Sequence, residues 1–194
     1  KLNQGVLSLY PFKGCLYIGT GIQGGGIDRQ NDIGPGASEL IRLHPDMSWD
    51  DAYAIQDRIL AAKLKAGARV AGYKAGLTSH AKMRQMGVTD PVFGFLVDEF
   101  ILPEGGEVKV SQLIHPKVEP EIVFVLKHAL KGPGCHIGSV LAATDFVMPG
   151  IEVIDSRYRD FKFDLKSVIA DNTSAARFVI GGQPARAERS EEHT

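Results

Sequence analysis

Cysteine is scarce in this chain and its charges nearly cancel, and both shortages narrow what it can be. Cys15 and Cys135 are the 2 cysteines among 194 residues. They are far apart, without metal-type spacing, and do not make a disulfide framework, so a reducing, cytoplasmic setting is the expectation. The formal net charge is -1, from 22 basic and 23 acidic residues that are well mixed. No basic stripe invites a nucleic acid, and no polybasic or amphipathic stretch invites a membrane surface. Long apolar runs are missing too: the longest are strand-sized, far short of a bilayer span. The lysine at the start is not followed by a long apolar core and a small-residue cleavage site, so no secretory signal is expected. The 6 histidines are scattered, which argues against a zinc site built on histidine pairs.

What is present is a hydrophobic content of 44%, enough for one domain with its own core. Within it stand three glutamates in apolar, strand-like runs: Glu119 and Glu121 in HPKVEPEIVFVL, and Glu152 in VMPGIEVIDSRY. A strand alternates faces with period two, so Glu119 and Glu121 project the same way, with Val123 and Val125 following them. A buried, unpaired carboxylate costs several kcal/mol, so such groups neutralise, pair or bind a metal. Two carboxylates on one strand face and a third from another run suit a hard cation such as Mg²⁺ or Mn²⁺, with positions left for a substrate. A solvent-facing E-x-E on an edge strand is the alternative.

Residues 1–36 are rich in glycine and carry no sustained periodicity. GTGIQG, from Gly19 to Gly24, spells a dinucleotide fingerprint but lacks the strand and helix that would give it meaning, so it is read as chance. Order is expected from Ser48, which can cap a helix with Ala52, Ile55, Ile59 and Ala62 as its apolar stripe and Gly67 as its stop. Arg69–Lys74 reads as a strand, and Ser79 as the cap of a short helix through Met86. Val92–Leu96 and Phe100–Leu102 read as strands, with a PEGG turn leading into a further strand, Glu107–Val110. Val118–Leu126 is the clearest strand, and Pro120 near its start suits a strand end rather than a central position. A helix near Ile137–Ala143, the strand Phe146–Ile154, a helical turn at Lys166–Ala170 and the strand Ala175–Ile180 complete the pattern. Helices gathered mainly near the start and mixed strands predict an α+β fold built round a β-roll, with no internal repeat.

KAGLTSHAKMRQMGV, IHPKVEPEI, GPGCHIGSV and IEVIDSRYRDFKFDLKSVIADNTSAARFVIGG occur in this order between about His44 and Gly182. Together they resemble the fumarylacetoacetate hydrolase superfamily, and within it the hydratase/decarboxylase branch. The resemblance implies a mixed β-sandwich roll with N-terminal helices. It also implies that Glu119, Glu121 and Glu152 hold Mg²⁺ or Mn²⁺, and that Lys74 of the G-x-K-x-G-L-T motif is catalytic. Leu77 of that motif, with Asp171 and Ser174 of A-D-N-x-S, is carried over as substrate-binding. The expected substrate is a 2-oxo dicarboxylate, 2-oxo-3-hexenedioate, in the meta-cleavage degradation of aromatics. It would chelate the metal through C1 and the keto oxygen and lose CO₂ from the far end. Lys74 would bring a positive charge or a proton to the developing enolate; an exposed loop lysine is the plainer account of it. Arg157, Lys162 and Lys166 are candidates for the far carboxylate, against a solvated charged face. A homo-oligomer, and a complex with a 2-hydroxypentadienoate hydratase, are implied as partners.

The hydratases of the branch carry an aspartate in P-D-F-G, where this chain has Pro91-Val92-Phe93-Gly94. Valine cannot move a proton, which favours decarboxylation over hydration. Asp90, two residues earlier, keeps the hydratase open. Asp155 in IDSRYRDFKFDL again resembles the decarboxylases. Members of the family continue beyond Gly181-Gly182, and Arg189–Thr194 reads like a translated sequencing adapter. The expectation is therefore a unit at 37–184 that is truncated at its C-terminal side, an unassigned segment at 1–36, and a foreign tail at 185–194. An inactive, incompletely folded fragment with unpaired strand edges is the second hypothesis.

Overall fold

A computed structural model describes residues 5–12, 15–21, 44–78, 80, 83–84, 88–161 and 163–186. Helix α1 (Trp49–Lys65) starts on a reciprocal cap, in which the Asp51 amide donates to Ser48 Oγ at 3.1 Å and the Ser48 amide donates to Asp51 Oδ2 at 2.9 Å. Its buried face holds Ala52, Ile55 and Gln56, with Ile59 and Leu60 packed behind them. These positions follow a helical stripe that passes beside Ala62 and leaves it exposed, contrary to its expected place in the core.

Two antiparallel hairpin-like sheets precede the centre of the fold. Strands β1 (Gly5–Phe12) and β2 (Cys15–Gly21) pair in the segment where no ordered element was expected. Gly19–Gly21 of GTGIQG close β2; the rest of that run lies outside the described residues, as do Ser79, Met86, Lys162 and 187–194. Strands β3 (Val70–Gly76) and β4 (Val92–Val97) then pair antiparallel, with Lys74 opposite Gly94.

The third sheet has the order β5-β6-β7 and is antiparallel throughout. It comprises β5 (Pro116–Leu126), β6 (Thr144–Asp155) and β7 (Ala175–Ile180), with the helices α2 (Ile137–Ala143) and α3 (Leu165–Ala170) in the connections. Strand β5 is an edge of this sheet, which is where Pro120 is tolerated. The strand pair expected across PEGG does not form. Asp98–Phe100 is a 3₁₀ turn, and the Leu102 amide donates to Phe178 O at 2.9 Å, so this backbone follows β7 and does not fold back on itself. Only the turn remains, with the Gly106 amide on Pro103 O.

Three buried clusters hold these layers together. Met47, Ala52, Ile55 and Val92 meet Ile169 and Ala170 of α3. Ala68, Phe95, Val97 and Phe100 meet Ala175 and Phe178 of β7. Leu113, Val153 and Ala176 form the smallest. The described residues thus mix helices with antiparallel sheets, the content expected of an α+β fold. No helix among them is long and apolar enough to cross a membrane.

Candidate metal centre

The period-two geometry of β5 and its register on β6 build the site. Glu119 lies directly opposite Glu152, and Glu121 lies opposite Gly150. All three carboxylates therefore share one face of the sheet, and each offers an oxygen within 4.8 Å of the others. Gly150, opposite Glu121, leaves room for Val123 beside it: a Cβ there would stand 2.7 Å from Val123 Cγ2. Glu119 and Glu121 are exposed, while Glu152 is 7% exposed. Burial pushes the Glu152 carboxyl above the ordinary glutamate range. The Lys74 ammonium pulls it back, and the charges of Glu119 and Glu121 add to the rise.

Lys74 comes from β3, 78 residues before Glu152, and its ammonium donates to Glu152 Oε1 in a close ion pair and to the Thr173 carbonyl at 3.1 Å. It is a largely enclosed side chain, not a loop lysine in solvent. One ammonium can offset one of three negative charges, so the donor set fits a divalent cation on the chemistry of its oxygens. A second feature agrees: Thr173 Oγ1 and Ser174 Oγ are buried without a hydrogen-bond partner, and such groups normally find one.

The segment that brings Thr173 and Ser174 here has an unusual backbone. Asn172, Thr173 and Ser174 have φ of 53°, 51° and 59°, three left-handed residues in a row. Asn172 ties this arch to β4, accepting from the Phe95 amide at 2.8 Å and donating to the Phe95 carbonyl at 3.0 Å. Gln56 of α1 donates to both Phe93 O and Ile169 O at 2.9 Å, joining helix, β4 and α3. Asp171 sits at the foot of the arch, and its carboxylate is gripped by Arg157 Nε at 2.5 and 2.6 Å, with a further bond from Arg157 Nη2 to Asp171 O at 2.9 Å. Burial raises the Asp171 carboxyl, against the lowering pull of Arg157, and Asp155 adds to the rise. Asp155 itself accepts from the Ile114 amide at 3.0 Å and the His115 amide at 2.6 Å, pinning the start of β5 to the end of β6.

The structure thus brings Glu119, Glu121, Glu152 and Lys74 together, with Ser174 one residue from a Lys74 partner. Leu77 lies apart in role: its side chain packs on the cluster of Met47 and Ile169, and its φ is 59°. Arg157, a candidate for the far carboxylate, is ion-paired with Asp171. Val92 is core, 3% exposed, while Asp90 is exposed and holds Thr89 Oγ1 at 2.7 Å. Sequence reasoning passed over Thr173 and Gln56. The signal for Thr173 was a run of four polar residues, Asp171–Ser174, set between the apolar Val168–Ala170 and Ala175–Ala176.

No family model matches the chain. Over 142 residues it is 62% identical to 4-oxalocrotonate decarboxylase of Pseudomonas sp. (strain CF600), a match covering 73% of this chain and 54% of the relative. It is 45% identical over 139 residues to 2-hydroxypent-2,4-dienoate hydratase of Pseudomonas putida, covering 71% and 63% respectively. Among solved structures, 4-oxalocrotonate decarboxylase from Pseudomonas putida G7, complexed with magnesium and adipate, superposes with a TM-score of 0.78 at 50% identity, over 84% of this chain and 62% of that one. The chain spans about half the length of the curated decarboxylases it matches. Over about three quarters of its length the chain is thus similar to the 4-oxalocrotonate decarboxylases and, at lower identity, to the related hydratases.

Proposed function

We propose that this chain carries the metal-binding core of a decarboxylase that converts 2-oxo-3-hexenedioate to 2-hydroxypenta-2,4-dienoate and CO₂. The observation that carries the reading is the meeting of three carboxylate oxygens within 4.8 Å of one another, beside the Lys74 ammonium. Glu119, Glu121 and Glu152 are assigned to a divalent cation, Mg²⁺ or Mn²⁺. When bound, such a cation supplies Lewis acidity toward the keto oxygen of a 2-oxo acid. Lys74 places a positive charge, or a proton, at the oxygen that gains charge as CO₂ leaves. Ser174 Oγ, buried and unpartnered, is assigned a hydrogen bond to a substrate oxygen.

Asp171 takes a supporting role in this reading, holding the arch through Arg157 while Ser174 meets the substrate. Leu77 is assigned through its left-handed turn next to β3, its side chain serving the core. A dicarboxylate substrate draws support from the adipate in the relative's structure. Decarboxylation is favoured over hydration because the position of the hydratases' aspartate is Val92, which packs into the core. The same reading takes 37–184 as the catalytic unit, a part of a β-sandwich roll. It also places the protein in the cytoplasm as a homo-oligomer that associates with its hydratase.

The test is an assay of the chain with both substrates, with Mg²⁺ or Mn²⁺ and again with chelator. Metal-dependent CO₂ release from 2-oxo-3-hexenedioate, lost in Glu152→Gln, is the expected result. Loss of 2-hydroxypenta-2,4-dienoate absorbance without CO₂ release would replace the decarboxylase with the hydratase. Metal binding without turnover of either substrate would remove catalysis from the reading of this chain.

A further inference from the structure

Gly94 stands directly across β3 and β4 from Lys74, so a side chain there would rise on the same face as the lysine. It has none, and the left-handed arch 172–174 lies in the space. A Cβ on Gly94 would stand 2.4 Å from Thr173 Oγ1, 3.0 Å from Asn172 Oδ1 and 3.2 Å from the Asn172 carbonyl oxygen. Cβ atoms are essentially never found at the first of these distances, and both the Asn172 side chain and the carbonyl are held. Asn172 is buried and bridges the Phe95 amide and carbonyl, one residue along β4. The arch therefore rests on the bare backbone of Gly94, clipped by Asn172, and its Thr173 carbonyl lands 3.1 Å from Lys74 Nζ. Thr173 is β-branched and held at a φ of 51°, a conformation that persists only where surrounding contacts impose it.

We infer that Gly94 and Asn172 are positioning residues that set the place of the Lys74 ammonium beside the three glutamates, acting through the Thr173 carbonyl. They fix how closely the arch approaches β3, and so where the lysine is held. The inference rests on the functional reading above for the importance of Lys74, but the geometry it asserts is independent of decarboxylation.

The test reads Lys74 directly in the full 194-residue chain, by its rate of acetylation followed by mass spectrometry, with Lys63 as the internal reference. Lys63 is paired with Glu99 at 2.9 Å on a different part of the surface. Gly94→Ala is expected to raise Lys74 labelling by about tenfold, since a charge-assisted hydrogen bond is lost. Thr173→Ala alone should leave Lys74 protected, because the contact uses the main-chain carbonyl. Added to Gly94→Ala it removes the atom at 2.4 Å and should restore at least half of the protection. Asn172→Ala, which leaves β4 free of any new side chain, should raise labelling as Gly94→Ala does. Wild-type labelling in both Gly94→Ala and Asn172→Ala, or no recovery in the double variant, would overturn the inference. Absence of CO₂ release in the wild type would count against the functional reading alone.

Discussion

Glu119 and Glu121 stand exposed on an edge strand, whereas Glu152, Lys74 and most of the 171–174 arch are enclosed in the fold. Around β5, the reverse face also lies bare, with Val118, Ile122 and Phe124 exposed at 66%, 70% and 51%. Around the arch, Asp171 is held by Arg157, Asn172 by Phe95, and Gln56 by Phe93 and Ile169, while Thr173 Oγ1 and Ser174 Oγ are buried without a partner. The contrast separates two ways of holding a charged group. An exposed carboxylate keeps its water and needs only the right direction from its strand. A buried one must be met by opposite charge or hydrogen bonds, so its surroundings have to be built with it. The candidate centre joins one half of each kind.

The largest effect should come from breaking the enclosed half at its ion pair. Arg157→Leu leaves the Asp171 carboxylate buried without its partner and should destabilise the fold by about 3–5 kcal/mol in a denaturant titration. A loss under about 1 kcal/mol, the range of exposed pairs, would show that the pair is not part of that half's support.

Next in size is the proposed metal ligand that belongs to the enclosed half. Glu152→Gln should lower Mn²⁺ affinity by about 100-fold, at least as much as an outer-sphere partner is worth, measured by calorimetry. Glu121→Gln should lower it less, since solvent can replace an exposed oxygen. Equal losses would erase the distinction between the halves. The same variant carries a pH signature in metal-free protein. Burial raises Glu152 above its ordinary value of 4.5, so the folded state holds that proton more tightly than the unfolded one. The stabilisation from this group is complete below the ordinary value and is lost as pH rises through the raised one. Thermal melts should therefore show the wild type losing ground to Glu152→Gln as pH climbs toward neutrality.

Gln56→Leu strands two main-chain carbonyls, Phe93 O and Ile169 O, and should cost about 1–3 kcal/mol in the same titration. Smallest is Ile122→Lys on the bare face of β5, expected to change stability by less than about 0.5 kcal/mol. A large loss there would mean that this face is packed against something in solution, and sedimentation would detect it.

Some of this could be read along the chain. The cap at Ser48 and the alternation that puts Glu119 and Glu121 on one face are local matters. Each depends on residues within one turn or one strand, where propensity and period decide. The acidic trio came into view for that reason, because apolar neighbours made its carboxylates conspicuous. Other expectations failed where a distant partner outweighed a local pattern. The strands expected around PEGG gave way to a bond between Leu102 and Phe178, and Arg157 pairs with Asp171, 14 residues on. Gln56 lay outside the apolar stripe and drew no expectation, yet it bonds a carbonyl 113 residues away.

Residue order alone therefore settled the helix caps, the strand faces and the supply of carboxylates, since these follow from covalent geometry over a few residues. Packing settled which charges meet: Lys74 with Glu152, and Arg157 with Asp171. It also settled the left-handed arch seated on Gly94. Those pairings join segments that nothing local brings together, and they exist only because burial makes an unmatched charge or carbonyl costly enough to select one arrangement of the chain.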